Sequence, residues 1–465
     1  MGDNEQLRFP PESLRIASVR WVRFFFGLEG RVSRPSFALA GLLLGALKFS
    51  VEAAWAWRLY GASLSPVTYL DPRIQVRYQG AFGEGDWLWL LAWTLPFLWT
   101  GFALTLRRAE DAGLSPVSSL LFFVPILNLA LFAGLCLAPS SHTHGRTFGR
   151  GAFERRTLRG AGLGAFAATA IGIGMAASIS VIGQYGLALF IGAPFVMGLV
   201  SAYLTNDGQE RTMGSTLAVS TLSVVLTAGA LFAFAAEGLV CLVMAAPIGF
   251  VLSSLGALMG RSLARSRLVP QRVIGVLALP LPLFAGIDPP STDFHDVESE
   301  IEVAASPDRV WPLVAAFPEI RSEPELLFRI GIAMPRFATI EGEGVGATRR
   351  CVFTTGEFVE PITVWDPPSR LAFSVTRQPR ALSELTPYEA LWAPHLDGHV
   401  LRVAEGEFRL IPLPDGGTRI VGRTRYALDM SPKAYWRAWG DGIIHRIHMR
   451  VLTHIKDMAE GRVGG

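Results

Sequence analysis

Through its first 290 or so residues the chain alternates long apolar windows with short charged connections, and then it changes character. Residues 160–206 contain no charged side chain. A bilayer core takes about 20 apolar residues per helical crossing, so this stretch predicts two crossings and a tight turn. Further apolar windows lie at 37–59, 87–106, 112–145, 212–236, 238–260 and 273–287. The first is interrupted by Lys48 and Glu52, and 87–106 is rich in Trp, as expected near membrane interfaces. Window 112–145 contains Pro125 and Asn128, and the last contains Pro280 and Pro282. The pattern predicts a multi-pass helical module with about six to eight crossings.

From about Asp293 the periodicity is that of a soluble α+β domain. Residues 296–305 alternate as a strand. Ser306-Pro307-Asp308 opens a helix, with Ser at the N-cap and Pro at the first helical position. Val310, Trp311, Val314 and Phe317 form its apolar stripe. Strand-like segments follow at 337–342, 347–355, 357–366, 369–377, 399–412 and 417–429. Pro414-Asp415-Gly416-Gly417 reads as a hairpin connection, and a long helix runs from Ser431 to about Glu460. The expected organisation is a cytoplasmic segment at 1–36, a membrane region at 37–150, further transmembrane helices at 160–287 and a C-terminal domain at 293–462.

Charge adds orientation. The net charge of +3, from 42 Lys+Arg against 39 Asp+Glu, is too small to argue for nucleic acid. Lys48, Lys433 and Lys456 are the only lysines. Arginine suits phosphate and carboxylate recognition, but a GC-rich bacterial genome produces the same skew. Arginine-rich segments at 8–34, 107–108, 146–159 and 261–272 are expected on the cytoplasmic side. That holds only if 112–145 enters and leaves on one side, bending near Pro125 and Asn128 with its broken backbone buried. Segment 273–287 then decides the compartment. If it crosses, the preferred reading, the C-terminal domain is periplasmic; lying in the interface, it leaves the domain in the cytoplasm. Cys136, Cys241 and Cys351 are far apart and form no disulfide framework or zinc motif. The first 36 residues carry arginines and no apolar core, so no cleavable signal is expected there.

Lys48 and Glu52 lie one helical turn apart within a crossing. Such groups read as an ion or proton site or as a neutralising pair facing other helices. The second reading is preferred and argues against a transporter.

Two resemblances follow from particular motifs. Gly30-Arg31-Val32-Ser33-Arg34 with Phe37, Arg107-Arg108, Asp111, Gly113, Leu137-Ala138-Pro139 and Phe148-Gly149 resemble the bacterial family called domain of unknown function 805. Glu110 stands where that family usually has His, and Val117-Ser118-Ser119 replaces its aromatic pair. The resemblance implies a membrane module and no chemistry.

The C-terminal region resembles the SRPBCC superfamily, which includes START lipid-transfer domains and polyketide cyclases. Ser306-Pro307 with Val310-Trp311, the turn 342–346, Val364-Trp365-Asp366-Pro367-Pro368 and Arg370-Leu371-Ala372-Phe373 carry it. So do 351–356, 358–363 and the end segment from Tyr435-Trp436 to His454. It implies an α+β helix-grip fold whose last helix closes over a curved sheet, leaving a cavity for an apolar ligand. That fold hosts both carriers and enzymes.

On a helical wheel of the last helix, Trp436, Gly440, Ile443, Ile444, Ile447, Val451, Ile455 and Met458 share one face, with His454 at its centre. His454 reads equally as a buried core histidine or as a polar group in the cavity. Asp441, His445 and His448 share a second face, a set zinc would accept. Three turns of one helix rarely converge on one ion, so a polar face docking onto the membrane module or a partner is preferred. Asp441 would then fix the tautomer of His445. His395 and His399, with Glu407 on the next strand, are candidate rim groups, but a solvated loop and an exposed strand face are the preferred reading. No nucleophile triad, phosphate loop or paired-carboxylate signature is present, and no cofactor is expected. If there is catalysis, His454 is the expected acid or base.

The expected whole is a bacterial inner-membrane protein whose helix-grip domain binds a lipid or other hydrophobic small molecule, with transfer as an extension of that role. Trp436, His454, His395, His399 and Glu407 are the expected contacts. A cyclase- or dehydratase-type enzyme and a sensor or assembly protein with a membrane-protein partner are the alternatives.

Overall fold

A computed structural model describes residues 21–28, 30–71, 77–78, 82, 86–114, 116–123, 127–140, 169, 185–206, 211–266, 293–387, 396 and 400–462. The chain divides into two compact units. One comprises Met1–Val181, Pro194–Ala235 and Phe250–Leu279; the other comprises Ile182–Ala193, Ala236–Gly249 and Pro280–Gly465.

In the first unit, helix α1 (Arg34–Tyr60) starts at Ser33, whose hydroxyl accepts the Ser36 N–H at 3.4 Å. Helix α2 (Pro66–Tyr69) and the Trp-rich α3 (Asp86–Asp111) follow. Window 112–145 is not one helix: a 3-10 helix at Pro116–Phe123 precedes α4 (Leu127–Leu137). The expected bend at Pro125 lies outside the described residues. Buried Arg108 at the end of α3 donates to the carbonyls of Leu135 (3.0 Å) and Ala138 and pairs with Asp111, satisfying open carbonyls at the end of α4. Glu52 is fully buried and accepts from Lys48, from Tyr69 Oη at 2.7 Å and from Tyr78 Oη at 2.9 Å. Those partners compensate the carboxylate, as a neutralising pair requires.

Helices α5 (Ala193–Asn206), α6 (Met213–Ala233) and α7 (Leu239–Ser266) follow, with a π-helical turn at Ala188–Gly192 leading into α5. The spans Ala188–Asn206, α1, α6 and α7 are four helices long and apolar enough to cross a membrane. Of the earlier part of the charge-free run only Thr169 is described, and 273–287 lies outside the described residues. Within the first unit α5 and α7 are in backbone contact. A Cβ built on Gly256 would lie 1.9 Å from Phe195 O, and one on Gly260 2.1 Å from Leu199 O. The two glycines make a Gly-x-x-x-Gly stripe, the small-residue packing that apolar helices use where no hydrophobic effect drives them together. Ser220 on α6 hydrogen-bonds Ser253 on α7, with 2.5 Å between hydroxyls.

The second unit holds β1 (Phe294–Val303), α8 (Pro307–Ala315), α9 (Leu326–Arg329), β2 (Pro335–Glu341), β3 (Thr348–Phe353), β4 (Gly356–Asp366), β5 (Arg370–Ser374), β6 (Leu401–Pro412), β7 (Thr418–Leu428) and α10 (Lys433–Ala459). The seven strands form one antiparallel sheet in the order β1-β7-β6-β5-β4-β3-β2. This is the helix-grip architecture. Ser306 takes the N-cap backbone conformation before α8, but its side chain makes no capping bond. Val451, Leu452 and Ile455 of α10 meet Val303, Ile362, Leu371, Leu410 and Ile420 of the sheet in one core. Leu452 is fully buried, an inward position the wheel omits. Strand parity sends alternate residues outward, where charges pair across strands: Arg409 with Glu298 (2.6 Å), Arg419 with Glu302 (2.9 Å) and Arg423 with Asp296 (3.0 Å).

Two segments from the apolar part of the sequence belong to this unit. Tyr185 O accepts the Ser431 N–H at 2.9 Å, and the Phe190 ring meets Trp436 edge-on, 4.7 Å between centroids. Val240, Cys241 and Met244 of α7 join Phe328, Ile332, Leu382, Leu396, Ile443 and Ile447 in a second cluster. The Glu384 carboxylate accepts the N–H groups of Val240 (2.9 Å) and Cys241 (3.1 Å). It thus caps α7 with a negative charge at the favourable end of the helix dipole. A Cβ on Gly238 would lie 2.2 Å from that carboxylate, so Glu384 would have to shift from its capping position to admit one.

Candidate ligand site

The strands that close the grip carry an ion pair into its core. On β3, parity turns Arg349, Cys351 and Phe353 inward. Arg349 faces Glu360 of β4 directly across the ladder, and the pair is in contact with both side chains buried. Arg349 also donates to Ala315 O at 3.0 Å. Its guanidinium lies over the rings of Phe373 (5.2 Å), Phe317 (5.8 Å) and Phe408 (5.8 Å), a placement that cation–π attraction favours.

Burial works to discharge Arg349, but Glu360 and Cys351 together more than offset it, so the guanidinium stays protonated. Burial pushes the Glu360 carboxyl above its usual range, opposed by Arg349. Burial also lifts the Cys351 thiol to about 12, which leaves it a neutral thiol rather than a nucleophile. The site therefore offers one charged, hydrogen-bonding pair inside an aromatic wall.

Phe317 joins this pair to the surface. A cleft of about 350 Å³ is lined by Ala316, Phe317, Pro318, Glu319, Phe337, Ala338 and Thr339. That volume lies within the roughly 300–1,000 Å³ range of small-molecule sites. His454 stands behind the same loop, buried, its Nε2 3.2 Å from Pro318 O and its ring against Phe317 at 5.9 Å. Burial lowers its pKa, so it is a neutral imidazole, with the Pro318 carbonyl as its hydrogen-bond partner.

The other expected contacts are distributed differently. Trp436 is buried against Phe190 and Tyr435 rather than in the grip core. Glu407 points to the outer face, because Phe408 and Leu410 on the same strand take the inner one. It accepts from Arg370 at 3.1 and 3.3 Å, with Arg409 and Arg423 close by. It is part of the outer charge ladder, not a cavity rim. His395 and His399 lie outside the described residues.

The face bearing Asp441, His445 and His448 turns onto β1 and β7 of its own domain. Ser299 Oγ is 2.8 Å from His445 Nδ1 and 3.1 Å from His448 Nδ1, and Thr424 Oγ1 is 2.7 Å from His448 Nε2. One hydroxyl proton serves both rings, so Ser299 donates to one Nδ1 and accepts from the other. Asp441 bonds Tyr426 Oη (2.7 Å) and Arg437 (3.3 Å), not His445. Burial, with His445 beside it, lowers His448 to about 4, so it is neutral at physiological pH. Among the described residues no group of three His, Cys, Asp or Glu is placed to hold a metal.

Sequence reading missed Arg349 and Glu360. Adjacent Arg349 and Arg350 look alike, and only the parity shared with Cys351 and Phe353 marks the first as inward.

Residues 25–150 match the family model for a protein of unknown function, DUF805, and residues 295–447 match the model described as polyketide cyclase/dehydrase and lipid transport. The chain joins a DUF805 module to an SRPBCC domain. Among curated proteins, none matches it. Similar solved structures include a norcoclaurine synthase from Thalictrum flavum, 17% identical, covering 37% of this chain and 98% of that one with a TM-score of 0.24. The Zhui aromatase/cyclase from a Streptomyces species is 18% identical, covering 37% of this chain and 98% of its own at a TM-score of 0.24. The Aha1 dimer from Colwellia psychrerythraea is 13% identical, covering 37% and 99% at a TM-score of 0.23.

Proposed function

We propose that this protein holds a hydrophobic small molecule, a lipid or isoprenoid-like compound, in its SRPBCC domain beside the bilayer that its helices cross. The observation that carries the reading is the buried Arg349–Glu360 pair behind Phe317, a polar anchor inside apolar walls next to an open cleft. The family description, which includes lipid transport, supports it. Tethering suits such a ligand, because a poorly soluble compound is concentrated in the membrane and the connection keeps the site nearby. For cyclase- or dehydratase-type chemistry the candidate group is His454, whose bond to Pro318 O and packing on Phe317 favour carriage over catalysis.

The proposed compartment is the periplasm of a Gram-negative cell, with the helices in the inner membrane. With arginines 146–159 and 261–272 in the cytoplasm, the ends of the spans near Tyr185 and Leu239 fall on the other side. Those two ends are the ones that pack on the SRPBCC domain, which supports a domain outside the cytoplasm and a last crossing within 273–287. A reporter fused after Gly465 that works only outside the cytoplasm is expected to be active; silence would refute this placement.

Thr339 is exposed at the cleft. Thr339→Trp is expected to fill it and to lower several-fold the apolar material extracted with full-length protein, with little change in melting temperature. Unchanged ligand content would refute the cleft as the site.

A further inference from the structure

The SRPBCC domain exposes two large apolar side chains beside the start of α7. Leu326 on α9 is 75% exposed and Leu385 is 44% exposed. The neighbours Leu327 and Phe328 turn inward to the cluster that contains Val240, Cys241 and Met244 of α7. Leu385 O accepts the Leu239 N–H at 3.3 Å, directly beside the Glu384 cap. Both residues are thus fixed at the first turns of a helix long and apolar enough to cross a membrane. On that helix Leu239 is 44% and Val243 57% exposed, so the apolar surface continues from the domain onto the span. Arg329, exposed at the end of α9, adds a guanidinium suited to lipid phosphate.

We propose that α9 and Leu385 form a wedge inserted into the leaflet that α7 enters, so that the lipid surface itself is the partner of this face. The inference rests on the reading that α7 crosses the bilayer and gives the proposed ligand a route between leaflet and domain. Segments of this kind bury their apolar face roughly 5–10 Å into the boundary between headgroups and acyl chains.

The test uses full-length protein in nanodiscs of phosphatidylcholine and phosphatidylglycerol with brominated acyl chains. Leu326→Cys, Leu385→Cys and Val345→Cys each carry an environment-sensitive fluorophore, and labelled parent protein supplies the background of the native cysteines. Val345, 70% exposed on the β2–β3 turn, is the control. The expected result is blue-shifted emission and several-fold stronger quenching at 326 and 385 than at 345. Equal emission and quenching at the three positions would overturn the wedge. Should one variant fail to fold, the other leucine position gives the same reading. Lipid extraction of the same samples reads ligand binding separately: quenching without bound ligand keeps the wedge and removes the carrier reading, and bound ligand without quenching does the reverse.

Discussion

Replacing Arg349 by methionine alone is expected to destabilise the SRPBCC domain by about 3–5 kcal/mol, because it leaves the Glu360 carboxylate buried and uncompensated. The backbone carbonyl of Ala315 loses its donor as well. Replacing both members, Arg349→Met with Glu360→Leu, is expected to restore stability to near that of the parent, since apolar residues of similar volume often substitute for a buried pair without loss. Thermal melts of the full chain in detergent measure both. The double variant also separates two roles for the pair. If Arg349 and Glu360 serve the ligand, the double variant folds and carries less of it. If a single Arg349→Met melts like the parent, the pair is not buried as described.

A large side chain at Gly256 is expected to separate α5 from α7. A Cβ there would lie 1.9 Å from Phe195 O, a backbone atom that moves only with its helix. Overpacking of a tight contact costs roughly 1–3 kcal/mol and sometimes more, and Gly260 lies in the same stripe against Leu199 O. Gly256→Leu should therefore lower the midpoint of detergent-induced unfolding and the yield of folded protein. Gly229→Leu on α6, where a Cβ meets nothing within 4 Å, should be nearly silent. Equal behaviour of the two variants would contradict the close approach.

Much of this molecule was legible in its residue pattern. The strands and the long last helix of the SRPBCC domain follow from period-2 and period-3.6 alternation, and observed ends differ from expected ones by a few residues, as at β5. The functional side chains were harder, because facing is decided by tertiary partners. Glu407 was open between a rim group and an outward strand face, and only the inward neighbours Phe408 and Leu410 turn it to the charge ladder. His445 and His448 looked like a docking face, yet α10 lies across β1 and β7, and Ser299 and Thr424 meet them there. The capping of α7 by Glu384 joins residues more than 140 positions apart, which no local pattern encodes.

Native mass spectrometry of the full-length protein released gently from its membrane tests the carrier reading most directly. The account predicts one apolar molecule bound per chain, surviving removal of bulk lipid and lost on organic extraction. Bare chain mass alone, from protein that retains its folded melting transition, would contradict it.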